Sequence, residues 1–254
     1  MRKSLLAADE PPAVAEARRN GRSDFVILVD HASRRIPKSL TGLGLPESEL
    51  SRHIAWDIGA LGVARRVADA LDATLVAQNY SRLVFDCNRP PSAPTAIPPI
   101  SEFTDIPGNA DISEEQREAR RLAVHAPYHD HIAALLDERA RQGRRTILIA
   151  QHSMTPVFKG SSRDMQAAVL YNRDGRFAVA LRDALSDRAG SPVADNEPYA
   201  MTDDSDFTLP VHGEQRGLPH VGIEIRQDLV ESEAGQLLWA DRVATALEIA
   251  RRGF

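Results

Sequence analysis

Two short segments of this sequence are almost entirely apolar, and each runs directly into polar residues. They are Phe25–Val29, which is followed by Asp-His, and Thr146–Ala150, which is followed by Gln-His. Such runs are typical of strands that are buried on both faces of a sheet. A chain with strands of this kind needs helices above and below the sheet, which restricts the fold to a layered α/β arrangement.

The rest of the chain alternates in the same way. Further strands are predicted over residues 73–77, 82–85, 167–171 and 221–225, and helices over 46–71 (with a break near Gly59), 113–142, 175–188 and 232–251. This alternation predicts a single α/β domain over residues 24–254, preceded by a polar lead-in over residues 1–23. The expected architecture is a three-layer α/β/α sandwich around a mixed, largely parallel central sheet.

Composition excludes several classes of protein. The 254 residues include 31 Lys and Arg against 36 Asp and Glu, a net charge of −5, which argues against a dedicated nucleic-acid binder. No stretch approaches the roughly 18 apolar residues of a membrane span. The N-terminal segment becomes acidic before any apolar region, so no secretory signal is predicted. We therefore expect a soluble, cytoplasmic protein whose partner is a small molecule; a homo-oligomer stays open.

The histidines after the two apolar strands are the first candidates for a functional site. In open α/β sheets ligands collect at the carboxyl ends of strands, so His31 and His152 are expected to converge. Cys87 is the only cysteine, so any metal must be bound by histidine and carboxylate. Two histidines and one carboxylate form a common catalytic zinc set, whereas the alternative is that each histidine only caps its strand with hydrogen bonds.

Glu224 is the second candidate, because it lies inside the predicted strand 221–225. A carboxylate in a central strand is costly to bury unless it is paired or functional. Beside a metal it could act as a general base. The alternative is a structural ion pair with Arg226, two residues further along the same strand face.

A third group follows the predicted strand 82–85. Arg82 and Asp86 would share one face of that strand, and Asn88 and Arg89 lie just beyond it, ahead of a long proline-rich loop. An arginine fork suits a substrate carboxylate or a developing oxyanion. A structural salt-bridge cluster explains the same spacing equally well.

The remaining histidines give weaker signals. His125 and His129 have a spacing that can chelate a metal from one helical face, but Pro127 between them is awkward in a helix. His212 precedes the glycine-bounded segment 213–217, and a mobile loop there could bring His212 or Arg216 to a substrate.

Several of these segments together resemble the N-formylglutamate amidohydrolase family over nearly the whole chain, from about Phe25 to Phe254. Each matching segment is modest alone, but seven in the expected order are specific. They are VDHASRRIP (29–37), AWDIGA (55–60), SRLVFDCNR (81–89), APYH (126–129), QHSM (151–154), LYNRD (170–174) and GIEIR (222–226).

The resemblance implies a phosphorylase/hydrolase-like α/β/α fold, akin to zinc carboxypeptidases and aspartoacylases. It implies that His31 and His152 bind one zinc ion and that Glu224 is the base. The usual carboxylate ligand three residues after the first histidine is missing, because Arg34 stands there. Asp57 is the replacement that the family motif suggests, with Asp30 in reserve.

The same resemblance implies roles for the arginine cluster. Asn88 and Arg89 match an Asn-Arg pair directed at substrate carboxylate and carbonyl, with Arg89 stabilising the oxyanion. Arg82 or Arg226 would bind a substrate carboxylate. The implied activity is hydrolysis of N-formylglutamate or another N-acyl amino acid, by attack of metal-bound water on the amide carbonyl. The alternative is a catalytically silent relative that binds an acidic metabolite through its arginines, which the missing ligand favours.

Overall fold

A seven-stranded sheet runs through the middle of the protein. The computed structural model describes residues 5–254. The sheet strands in chain order are β1 (Val14–Ala17), β2 (Phe25–Val29), β3 (Thr74–Gln78), β4 (Ile147–Met154), β5 (Ala167–Leu170), β6 (Ala194–Asp195) and β7 (His220–Arg226). Their spatial order is β1-β3-β2-β4-β7-β5-β6. The pairs β1/β3 and β7/β5 are antiparallel and the other four neighbouring pairs are parallel, which confirms the predicted mixed, largely parallel sheet.

Helices cover both faces of this sheet. They are α1 (Glu47–Leu50), α2 (Ala60–Leu71), α3 (Glu114–Arg120), α4 (Ala126–Arg141), α5 (Arg176–Ala189), α6 (Thr208–His212) and α7 (Glu233–Ala250). Alternate side chains of β2 point to opposite faces. Phe25 and Ile27 pack with α2, α5 and α7, whereas Val26 and Leu28 pack with α4. The three-layer prediction is therefore confirmed. Among the described residues, no helix has the length and apolarity needed to cross a membrane.

A turn of π-helix joins α3 to α4 and explains the awkward proline. Ser113 caps α3 through a capping box with Gln116, as its spacing predicted. The helix then widens over Arg121–His125, which places Pro127 in the first turn of α4. The missing N–H of a proline is tolerated in a first turn.

The predicted strand over residues 82–85 is wrong, and a strand near the N-terminus was missed. The backbone N–H of Val84 bonds to the carbonyl of Ser81 at 3.0 Å, which closes a turn instead of joining the sheet. The apolar residues of this segment, Leu83, Val84 and Phe85, are themselves buried in the core, so their hydrophobicity reflects burial rather than strand pairing. β1 lies in the polar segment treated as a lead-in, whose residues 1–4 are outside the described part of the chain.

Candidate active site

A cavity of about 400 Å³ opens beside the carboxyl ends of β2, β4 and β7. Ligands of open α/β sheets collect at this edge of the sheet. Most of the site residues predicted from the sequence line it: His31, Asp57, Arg82, Asn88, Arg89, His152 and Glu224. The two exceptions, Arg226 and His212, lie elsewhere.

His31, Asp57 and His152 converge on one point in the cavity wall. The Nδ1 atoms of His31 and His152 lie 3.3 Å and 2.8 Å from the same oxygen, Oδ2 of Asp57. One potential ligand atom from each residue lies within 4.8 Å of the other two, and all three residues are buried. The three side chains are thus held in the arrangement of a small metal-binding set.

The surroundings of these three residues fit a metal ion. The second ring nitrogen of His31 lies 2.7 Å from Asp86 Oδ1, and that of His152 lies 3.6 Å from Asp30 Oδ2. Metal-binding histidines commonly direct their other nitrogen to a carboxylate in this way. Within residues 5–254, the buried oxygens Asp30 Oδ2 and Glu224 Oε2 have no hydrogen-bond partner. Two histidines and one carboxylate suit zinc and leave a fourth position for water or substrate.

The backbone fixes Asp57 against the end of β2. The N–H of Asp57 donates to the carbonyl of His31 at 2.9 Å. Gly59, two residues later, has a φ of +80°, and a Cβ there would lie 2.1 Å from the carbonyl oxygen of Val230. Only glycine allows the chain to turn here into α2. This turn explains the predicted helix break near residue 59 and places Asp57 beside both histidines.

Charge coupling dominates the protonation of this cluster. Burial alone would raise the pKa of Asp57, but the adjacent His31 and His152 outweigh it and lower that pKa. Burial alone would lower the pKa of His152, but its hydrogen bond to Asp57 raises the pKa to about 10. The three groups are therefore coupled: the histidines lower the pKa of Asp57, and Asp57 raises the pKa of each histidine.

Glu224 faces the same cavity from the neighbouring strand. In the parallel register of β7 and β4, Glu224 lies directly opposite His152. Its Oε1 accepts a hydrogen bond of 2.5 Å from the hydroxyl of Tyr199, and burial raises the pKa of the Glu224 carboxyl. The alternative ion pair with Arg226 is not formed, because the Arg226 guanidinium pairs with Asp228 at 2.8 Å.

The arginine cluster lines the cavity and is also a salt-bridge cluster. Arg82 Nη2 lies 2.6 Å from Asp86 Oδ2, and its Nη1 lies 3.6 Å from Asp57 Oδ1. Arg89 donates to the carbonyl of Ser205 and lies 3.9 Å from Asp206. The salt-bridge interpretation therefore holds for these arginines, and their role toward a substrate stays a prediction.

Comparison with known proteins assigns the chain to a family. The family model of N-formylglutamate amidohydrolase matches residues 23–231. The chain belongs to the N-formylglutamate amidohydrolase family. Members hydrolyse an amide bond, so the chain is an amidohydrolase, and its resemblance to this family is confirmed. No protein of curated function matches the sequence.

Two solved structures are similar to this amidohydrolase. A gene product of Agrobacterium tumefaciens is 39% identical with a TM-score of 0.94, and the match covers 98% of each chain. The N-formylglutamate amidohydrolase from Ralstonia eutropha is 18% identical with a TM-score of 0.67, and the match covers 96% of this chain and all of the other. At that identity the second match supports the fold alone.

Two residues of the amidohydrolase cavity carry no motif in the sequence. Tyr199 reaches Glu224 from the loop before α6, and Asp206 accepts a hydrogen bond of 3.0 Å from the Asn88 amide. The carbonyl oxygen of the Asn88 side chain accepts from the backbone N–H groups of Phe207 and Thr208, so Asn88 also anchors this loop. Both residues lie in irregular segments, where local sequence patterns give no signal. Asp206 is also 118 positions away from its partner Asn88.

Arg226 and His212 do not reach the cavity, contrary to the sequence-based expectation. Arg226 is the last residue of β7, and its side chain turns toward Asp228 and the carbonyls of residues 163 and 164. His212 ends α6 and is buried, rather than lying on a mobile loop. Its Nε2 lies 3.0 Å from His129 Nδ1.

His212, His129 and His125 form a buried histidine cluster behind the cavity wall. His129 Nε2 lies 2.8 Å from the carbonyl of Cys87 and must donate to it, so His129 Nδ1 accepts from His212. The rings of His125 and His129 are 4.3 Å apart. Burial lowers the pKa of both His125 and His212 to about 4, so the cluster is neutral in the folded protein at neutral pH.

This cluster is expected to make the protein lose stability in mild acid. An unfolded histidine takes up a proton near pH 6.5, whereas His125 and His212 do so only near pH 4. The free energy of unfolding should therefore fall as the pH drops from 6.5 to 4, by roughly 3 kcal/mol for each of these histidines. Urea denaturation across that range measures the slope.

The variant His212→Gln should show a smaller change in the free energy of unfolding between pH 6.5 and 4. The control His131→Gln, which lies outside the cluster, should show the same change as the wild type. Identical slopes for wild type and His212→Gln would contradict the assignment.

Proposed function

We propose that this chain hydrolyses N-formylglutamate, or a closely related N-acyl amino acid, with one zinc ion held by His31, Asp57 and His152. The observation that carries the proposal is the position of Glu224 opposite His152, facing the same cavity as these three residues. A metal-binding set next to an unpaired carboxylate oxygen is the arrangement that amide hydrolysis with water requires.

The zinc ion would polarise the amide carbonyl and bring the pKa of a water molecule toward about 7. Glu224 accepts the proton of the water that attacks the amide carbon and returns it to the departing nitrogen. The carbon–nitrogen bond breaks as the new carbon–oxygen bond is completed, which yields formate and an amino acid from a formyl substrate. Oε2 of Glu224, which accepts no hydrogen bond from the described residues, is the oxygen available for this transfer.

The other cavity residues orient these groups. Tyr199 holds Oε1 of Glu224, which leaves Oε2 without a hydrogen bond from residues 5–254. Asp86 fixes the ring orientation of His31 through their 2.7 Å hydrogen bond. Arg89 stabilises the charge that develops on the carbonyl oxygen.

The test is hydrolysis of N-formylglutamate and N-acetylglutamate by the purified, zinc-loaded protein. We expect glutamate to be released from at least the formyl compound, with no turnover after chelation of the metal. Release from neither compound would exclude this substrate class. Tight binding without release would instead support the catalytically silent relative that the sequence left as an alternative.

A further inference from the structure

The cations that line the cavity fall into two groups. At the inner end, Arg82 is paired with Asp86 and Arg89 lies close to Asp206. Glu224 adds another carboxylate to this inner region. Both inner arginines therefore already have an acidic side chain within ion-pair distance.

The outer group consists of Lys159, which is exposed, and Arg163, which is half-buried, and both line the same cavity. Neither forms an ion pair with any carboxylate in residues 5–254. The carboxylate of Glu102, which lines the same cavity, forms an ion pair with Arg52 at 2.5 Å. The ring of Phe158 lies beneath both cations, 5.1 Å from the guanidinium carbon of Arg163 and 5.6 Å from Lys159 Nζ. These two charges are therefore available to an anion that enters the cavity.

Arg163 is held in place by its backbone. Its N–H donates to the carbonyl of Pro156 at 2.8 Å, and its carbonyl accepts from Arg226 Nη1 at 3.1 Å. The guanidinium itself makes one long hydrogen bond of 3.5 Å, to the carbonyl of Thr155. Most of its five N–H donors are thus unused, and the guanidinium lies over the Phe158 ring.

The backbone of Arg163 lies beside the end of β7. Arg226, which touches the Arg163 backbone, lies two residues beyond Glu224 in β7. Two residues of a strand span about 7 Å. The backbone of Arg163 therefore lies beyond Glu224 along β7, and the side chains of both residues line the same cavity.

We propose that Arg163, assisted by Lys159, binds the side-chain carboxylate of an acidic N-acyl amino acid, while Phe158 packs along its methylene groups. This inference rests on the proposed amide hydrolysis, and it assigns specificity to two residues that lie between the sequence motifs shared with the family. The short hairpin formed by Val157–Phe158 and Ser161–Ser162 then carries the selectivity for acidic substrates.

The experiment compares two ligands that differ only in this charge. Binding of N-formylglutamate and of N-formylglutamine is measured by calorimetry on zinc-loaded Glu224→Gln protein, with and without Arg163→Gln. We expect Arg163→Gln to weaken N-formylglutamate binding by about 10- to 100-fold and to leave N-formylglutamine binding nearly unchanged, because a charge-assisted hydrogen bond is lost only with the former. Arg163→Lys should restore part of the affinity, and Arg65→Gln, an exposed arginine on α2, should change neither.

Each outcome separates this inference from the proposed function. Equal weakening of both ligands, or of neither, would overturn the role of Arg163 while leaving amide hydrolysis intact. A charge-dependent loss in a protein that hydrolyses neither compound with Glu224 present would support the anion site and overturn the hydrolase proposal. Failure of both ligands to bind would overturn the anion site.

Discussion

Glu224→Gln is expected to lower kcat by about 10²- to 10⁴-fold, the usual contribution of a general acid or base. Glutamine has the same shape, and its carbonyl oxygen can still accept the hydrogen bond from Tyr199. The substitution therefore removes the proton acceptor without removing a metal ligand. Steady-state hydrolysis and metal content are measured on the same preparations, and zinc content should equal that of the wild type.

Glu214→Gln is the matched control for this substitution. Glu214 is also a buried carboxylate, but it bonds to the backbone and side chain of Arg173 outside the cavity. It should retain wild-type kcat. Retained activity in Glu224→Gln, or loss of zinc from it, would exclude the role of Glu224 as the base.

His152→Ala should abolish zinc binding and activity together. The substitution removes one of the three converging ligand atoms and also leaves the buried Asp57 with a single imidazole partner. Elemental analysis after dialysis should find about one zinc per wild-type chain and none in the variant. Zinc should also stabilise only the wild type against denaturation, by roughly 4 kcal/mol at a concentration 1,000 times its Kd.

His131→Ala controls for the loss of an imidazole as such. His131 lies on α4, 3.4 Å from Glu16 and outside the cavity. It should bind zinc and respond to zinc as the wild type does. A His152→Ala protein that keeps its zinc would show that the metal is bound elsewhere, and a wild type without zinc would exclude the metal centre.

Three of the site residues that the sequence predicted, His31, His152 and Glu224, have a local signal. The apolar runs 25–29 and 146–150 are each followed within two residues by a histidine, and Glu224 is a lone acid among apolar neighbours. Asp57 came only from the family resemblance, since an acid at the start of a helix is too common to be informative. The structure brings all four to one cavity.

The parts that were missed depend on long-range contacts. Tyr199 and Arg163 lie in irregular segments, where neither period nor spacing indicates what they face. His212 looked like a loop residue because glycines follow it, yet it is the buried end of a short helix. The apolar segment 82–85 was taken for a strand because periodicity cannot distinguish pairing in a sheet from burial beneath a turn.

The reactive groups and the selective groups sit on parts of the chain with very different tolerance to insertion. One extra residue within β7 ahead of Glu224 would rotate that carboxylate to the far face of the sheet, since strand side chains alternate. The hairpin at 157–162 pairs only with itself and lies outside the central sheet, so it can change length without disturbing a single strand of that sheet. Homologous chains should therefore diverge in which acyl amino acid they accept long before they diverge in the bond they break.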